Sequence, residues 1–190
     1  MSAGDLLGRL SRLLDGAEIP YMVVGSLASS FHAEPRTTRD IDLVIDPTAE
    51  TLRRFVDSLP ADEFYADADA AAEAFDRRTP FNLVDRATGW KVDFMVRKDR
   101  PFSREELRRR LAVRLLGIDT HVASAEDTIV AKLEWAQQGG SDRQIGDVAA
   151  ILAVSGATLD RAYLERWIAD LGLIEPWRHA QDVARSSGSG

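Results

Sequence analysis

A chain of 190 residues with 45% hydrophobic and 29% charged residues has the balance of a folded globular protein, and is long enough for one substantial domain with or without a small helical appendage. It holds no cysteine, which excludes disulfides, thiolate zinc sites and cysteine nucleophiles. The net charge of −7 means that attraction to nucleic acid is not built into the average surface, and no apolar run approaches the ~18 residues of a membrane span, so a cytoplasmic protein without a membrane partner is expected.

In chain order, Leu6, Leu7, Leu10, Leu13 and Leu14 recur at helical spacing and predict a first amphipathic helix that Gly16 ends. Tyr21 to Val24 is an apolar strand. It stops at Gly25-Ser26, after which Leu27 to Phe31 reads as a short helix with Ser26 as its N-cap, a helix start whose free N–H groups suit a phosphate. A polar connection carrying Arg36 and Arg39 leads into a second strand, Ile41 to Ile45, which opens on Asp40-Ile41-Asp42. In an extended chain residues i and i+2 share a face, so the two aspartates point the same way with Cα atoms about 6.5 Å apart. Carboxylates that close repel unless a cation sits between them, and Mg²⁺ takes such hard oxygen ligands together with substrate phosphates.

A helix from Thr48 to Leu59 follows, then a strand-like piece and a short helix within 62–76. Phe81 to Asp85 and Trp90 to Val96 form a hairpin through a Gly-containing turn. Asp93 stands in the middle of the second of these strands. It is either a solvent-facing residue at a sheet edge or a third carboxylate held by a partner or cation, and spacing alone does not choose between them.

Between Arg97 and Arg114 lie Arg97, Lys98, Arg100, Arg104, Arg108, Arg109, Arg110 and Arg114. A phosphate-binding patch is one reading. A solvated helix with acids near its start and arginines near its end is the plainer one and is preferred; Ser103 and Glu106 are spaced as its capping box. Short strands follow over 111–118 and 121–123. Ser124 then caps a helix with Asp127 at the capping-box position, Gly139-Gly140 breaks it, and helices from about Asp142 to Val154 and from Leu159 to Leu171 complete the assigned elements. The four tryptophans are expected to pack the core or a subunit contact. The whole reads as an α/β (α+β) core over 1–123, a small mixed β-sheet with flanking helices, then a C-terminal helical part over 124–184 and a low-complexity tail over 185–190.

Gly25-Ser26, a short helix, the run R-T-T-R-D-I-D-L and a later strand aspartate, in that order, resemble the nucleotidyltransferase-fold superfamily. The segment S-A-E-D-T-I-V-A-K-L-E-W, then G-G-S-D-R-Q and Asp147, resembles its AbiEii-like branch, including the MenT-type toxins. The resemblance implies that Asp40, Asp42 and Asp93 hold Mg²⁺ or Mn²⁺, that Asp93 accepts the proton of an attacking hydroxyl, and that Gly25 and Ser26 meet the phosphates. It places a site lysine on Lys132 and a later aspartate on Asp147, with Lys132 neutralising triphosphate charge and Arg39 contacting substrate. An inter-helical ion pair is the alternative for Lys132 and Asp147.

The function so implied is transfer of a nucleoside monophosphate from an NTP, with release of pyrophosphate, to an acceptor that is a tRNA end or a protein, in a toxin–antitoxin pair with a cognate antitoxin. A small-molecule transferase of the aminoglycoside type and a catalytically silent regulatory or antitoxin module of the same fold are the alternatives.

Overall fold

The computed structural model describes residues 2–34, 38 and 40–187. Arg36, Arg39 and the last three residues of the expected tail therefore lie outside the described residues. Among the described residues the elements run α1 (Ala3–Gly16), β1 (Tyr21–Val23), α2 (Gly25–His32), β2 (Asp40–Ile45), α3 (Ala49–Ser58), β3 (Phe64–Ala66), α4 (Ala68–Arg77), β4 (Pro80–Asp85), β5 (Lys91–Val96), α5 (Pro101–Arg108), β6 (Leu111–Leu115), β7 (Ile118–Val122), α6 (Ala125–Gly139), α7 (Asp142–Ser155), α8 (Arg161–Asp170) and α9 (Ile174–Ser187). They divide into two compact units, Met1–Leu27 with Thr37–Ala123, and Ala28–Arg36 with Ser124–Gly190.

The first unit is built on a mixed seven-stranded sheet in the order β3-β4-β5-β2-β1-β7-β6. β2 runs parallel to β5 and β1 parallel to β7, while the remaining neighbours are antiparallel. The alternation legible in the sequence decides how β2 and β5 sit. Ile41, Leu43 and Ile45 of β2 and Val92, Phe94 and Val96 of β5 are all buried, whereas the residues between them are exposed or half-buried. Each fully buried large apolar side chain contributes about 1.5–3 kcal/mol, so a one-residue slip in register would forfeit the whole set. Phe94 carries this core: Phe55 of α3 meets its ring edge-on at 5.5 Å between centroids, and Phe81 of β4 stacks on it at 5.1 Å.

The helix starts follow their caps. Ser2 and Asp5 form a capping box at α1, Thr48 and Thr51 another at α3, and the Asp67 carboxylate accepts two N–H groups at α4. The β4–β5 turn is fastened by Asp85, which is fully buried and whose Oδ1 accepts hydrogen bonds from the N–H groups of Ala87 and Thr88 and from the Thr88 hydroxyl.

Several elements differ from the sequence reading. α2 begins at Gly25, so Ser26 lies in its first turn rather than capping it. α5 begins at Pro101 with Arg100 at the N-cap and no side-chain cap; a proline at the first position suits a helix start, and Ser103 and Glu106 fall inside the helix and are buried. The plainer reading of the basic segment holds only in part: α5 carries no acid in its first turn, and Arg97 precedes it, is mostly buried and pairs with Asp46 at 2.9 Å, while Arg104 pairs with Asp99 at 2.5 Å and Arg108 with Glu105 at 2.6 Å.

In the helical unit, Ser124 caps α6 as expected by accepting from the Asp127 N–H. The Asp127 carboxylate is fully buried and takes the Ser124 hydroxyl at 2.7 Å and the Tyr163 hydroxyl of α8 at 2.5 Å, which ties the start of α6 to α8. Gly140 ends α6 in the left-handed conformation. α9 is absent from the sequence reading. Its third residue is Pro176, which a first helical turn tolerates because the N–H it removes has no intrahelical partner there; Leu173 just before it and Ala180 within it are fully buried. Arg185 and Ser186 continue this helix rather than opening a tail. Trp167 is buried, but Trp135 is 55% exposed and does not serve the core.

Candidate active site

The parallel pairing of β2 with β5 sets Asp42 directly beside Asp93, and Asp40 directly beside Lys91. Neighbouring strands lie about 4.8 Å apart. Because the alternate residues of both strands are committed to the core, these four side chains share the opposite face of the sheet. β5 is an interior strand with β2 on one side and β4 on the other, so the edge-strand reading of Asp93 fails. Three carboxylates are thus gathered from two strands that are far apart in sequence, by register alone.

The same face turns apolar one step further along each strand. Val44 and Met95 pack against Met22, Val24, Leu107 and Ala123, which form a second, smaller core beneath α5. The acids therefore occupy the end of the strands where this floor stops. Asp40 is exposed, and Asp42 and Asp93 are half-buried, so water reaches this face.

Gly25 is fitted to Asp42. Its φ is +63°, a conformation that side chains with a Cβ rarely adopt, and a Cβ placed on it would lie 2.0 Å from Asp42 Oδ2. The backbone binds the two segments as well, with the Val24 N–H donating to the Asp42 carbonyl at 2.9 Å. The Gly-Ser turn and the D-x-D strand are thus one packed piece, and the glycine is required by the aspartate that follows it. Ser26 stands next in the first turn of α2 and is half-buried.

Lys91 is the residue that the sequence reading passed over. Its Nζ lies 2.9 Å from Asp93 Oδ1 and donates to Asp93 Oδ2 at 3.1 Å. The hydrogen bond to Asp93 raises the Lys91 pKa above its ordinary value; the charges of Asp93, Asp40 and Asp42 add to this, against a smaller opposing effect of burial. The signal was present, since Lys91 shares the face of Asp93 at i and i+2. Among the described residues no group of three or more His, Asp or Glu side chains is closed up tightly enough to ligate one ion. In this structure Asp93 is turned to the ammonium.

In the helical unit Lys132 of α6 donates to Asp147 Oδ2 at 2.7 Å and to Gln144 Oε1 at 2.8 Å. Gln144 and Asp147 are three residues apart on α7 and so share a face, a spacing that could have revealed Gln144 as the second partner. The pair is not an exposed one: its side chains retain only 5% and 10% of their accessible surface. The structure thus brings Asp40, Asp42, Asp93 and Gly25 together in the first unit, and Lys132 and Asp147 together in the second.

No family model matches the chain, and no curated protein matches its sequence. Solved structures do match. An antigenic nucleotidyltransferase-like protein from Paracoccidioides brasiliensis is similar over 94% of this chain and 91% of its own, with a TM-score of 0.56 and 18% identity. ANT(2'')-Ia in complex with adenylyl-2''-tobramycin is similar over 93% of this chain and 99% of its own, with a TM-score of 0.58 and 14% identity. At such identities the likeness shows the fold: this chain has a nucleotidyltransferase-like fold, a mixed sheet with flanking helices, as the order of its motifs implied. No helix among the described residues is long and apolar enough to cross a membrane.

Proposed function

We propose that the protein is a divalent-metal-dependent nucleotidyltransferase that moves a nucleoside monophosphate from an NTP to an acceptor. The observation that carries this reading is the register of Asp42 with Asp93 on neighbouring strands, with Gly25 lying against Asp42 where no side chain could stand. Asp40, Asp42 and Asp93 would hold Mg²⁺ or Mn²⁺: the donor set is all hard oxygen, and the face carries more negative charge than Lys91 alone offsets. Such ions, when bound, offset the charge that builds up on the attacking and leaving oxygens.

The chain's own residues supply the remainder. Asp93 would take the proton of the acceptor hydroxyl as its oxygen bonds to the α-phosphorus; the α–β bridge bond breaks and pyrophosphate leaves with the electron pair. Gly25 admits phosphate oxygens close to the backbone, and Ser26 offers a hydroxyl beside the first N–H groups of α2. Lys132, which donates to Asp147 and Gln144, would answer triphosphate charge, as the AbiEii-like resemblance implies.

For the acceptor, the AbiEii-like segment from Ser124 to Asp147 supports a tRNA end or a protein, in a toxin–antitoxin pair. A cationic small molecule is the second reading. It is favoured by the pairing of Arg97, Arg104 and Arg108 with the protein's own carboxylates, which leaves them less able to attract a nucleic acid, and by the tobramycin adduct of the full-length neighbour.

One experiment tests both levels. The protein is incubated with each labelled NTP, Mg²⁺ or Mn²⁺ and a cell extract, and label is sought in RNA, protein and small molecules. Asp42→Asn should keep its fold and abolish transfer. Undiminished label incorporation by that variant would refute the carboxylate site, and the fraction that takes the label decides the acceptor.

A further inference from the structure

Lys91 does not belong to the three-carboxylate pattern, yet it makes a close charged contact on that face. Its ammonium touches both oxygens of Asp93, at 2.9 and 3.1 Å, and it stands beside Asp40 in the strand register. On the other side of Asp93 along this face of β5, Met95 is apolar and packed. The Lys91 side chain keeps 45% of its accessible surface and that of Asp93 keeps 25%, so the contact is at the water boundary and the four-carbon stem can swing away without opening the core.

We propose that Lys91 is a built-in counter-ion that holds Asp93 while the carboxylate face is metal-free and gives it up to an incoming divalent cation. The inference rests on the metal-dependent reading above. A single positive charge on the same oxygens stops the three acids from repelling one another before metal arrives, and it competes with metal for Asp93. Lys91 is in this sense a positioning residue: it sets the orientation of Asp93 and the metal concentration at which the face is filled. An ordinary surface ion pair would have no such consequence for metal affinity.

The test is Mn²⁺ binding to the full chain without nucleotide, read from the electron paramagnetic resonance signal of free Mn²⁺, together with the thermal midpoint with and without Mn²⁺. Lys91→Met removes the charge and keeps the stem, Lys91→Arg keeps the charge, and Asp42→Asn removes a carboxylate.

The expected result is that Lys91→Met binds Mn²⁺ about two- to five-fold more tightly than the parent, as release of a half-exposed ion pair allows. Its metal-free midpoint should fall and its gain on adding Mn²⁺ should rise, while Lys91→Arg stays near the parent. If the parent binds Mn²⁺, Asp42→Asn does not, and Lys91→Met binds equally or less tightly than the parent, Lys91 is no competitor and the proposal is overturned with the metal site intact. If the parent and Asp42→Asn bind equally poorly, both the proposal and the metal reading fail.

Discussion

The two units solve the problem of placing charge in a protein in opposite ways. In the sheet unit, three carboxylates and one lysine lie on a half-open face, with net negative charge and with water within reach. In the helical unit, one lysine and one aspartate are closed off together, their side chains 5% and 10% exposed, with a glutamine as another acceptor for the lysine. The first arrangement costs little desolvation, though its like charges repel, and leaves charge for a ligand to answer. The second is costly to desolvate and holds only while both partners are present. Carboxylates kept near water can change partners; a buried pair is committed to its own.

The sharpest way to break the comparison is to remove one half of the buried pair. Asp147→Ala leaves the Lys132 ammonium buried without its counter-charge, and the loss expected is about 3–5 kcal/mol in denaturant unfolding. Replacing both, Lys132→Met with Asp147→Leu, should recover most of that loss, since a buried pair replaced by apolar side chains is often neutral or better. If the double variant is stable and still transfers nucleotide at the parental rate, the pair is structural only. A stable but inactive double variant assigns Lys132 to the reaction.

On the open face the expected effect is smaller and of a different kind. Gly25→Ala must hold a left-handed φ of +63°, which costs about 1–2 kcal/mol for a residue with a Cβ. It must also move Asp42, whose carboxylate oxygen lies 2.0 Å from the new atom. The variant should therefore lose a little stability and most transfer activity, whereas Asp42→Asn loses activity alone. Equal activity in Gly25→Ala and the parent would show that the closeness of turn and strand is incidental.

Much of this was legible because it is set by short-range rules. Period-two alternation made β2 and β5 strands and put Asp40, Asp42 and Asp93 on one side of them; Ser124 and the left-handed Gly140 marked the ends of α6, while the caps read at Ser26 and Ser103 did not form. What could not be read was the long-range register. That Asp42 stands beside Asp93 rather than one position along depends on which strands pair, and the hairpin with β4 was visible while the parallel neighbour was not. Lys91 and Gln144, by contrast, were missed although local spacing sets each on one face with a singled-out aspartate, Asp93 and Asp147. The helix α9 was lost because a proline in a first turn reads like a break. The burial of Lys132 and Asp147 was illegible since the pattern of two amphipathic helices does not say which of their polar residues face each other.

His121 lies between the two extremes and gives the smallest effect. It is half-buried in β7, its ring meets Tyr21 edge-on at 5.7 Å, and its Nδ1 is buried with no hydrogen-bond partner among the described residues. Burial first, and then the Arg110 guanidinium, push its pKa below the ordinary 6.5, with Asp15 pulling the other way. The folded protein thus prefers the neutral ring and the unfolded chain takes up a proton at higher pH. The contribution to stability is complete above pH about 6.5 and is lost as pH falls through the lower folded-state value. His121→Phe keeps the edge contact to Tyr21 and cannot titrate, so its unfolding free energy should vary less than the parent's between pH about 7.5 and 5. Parallel pH dependences in the two proteins would show that His121 is not the source of the acid sensitivity.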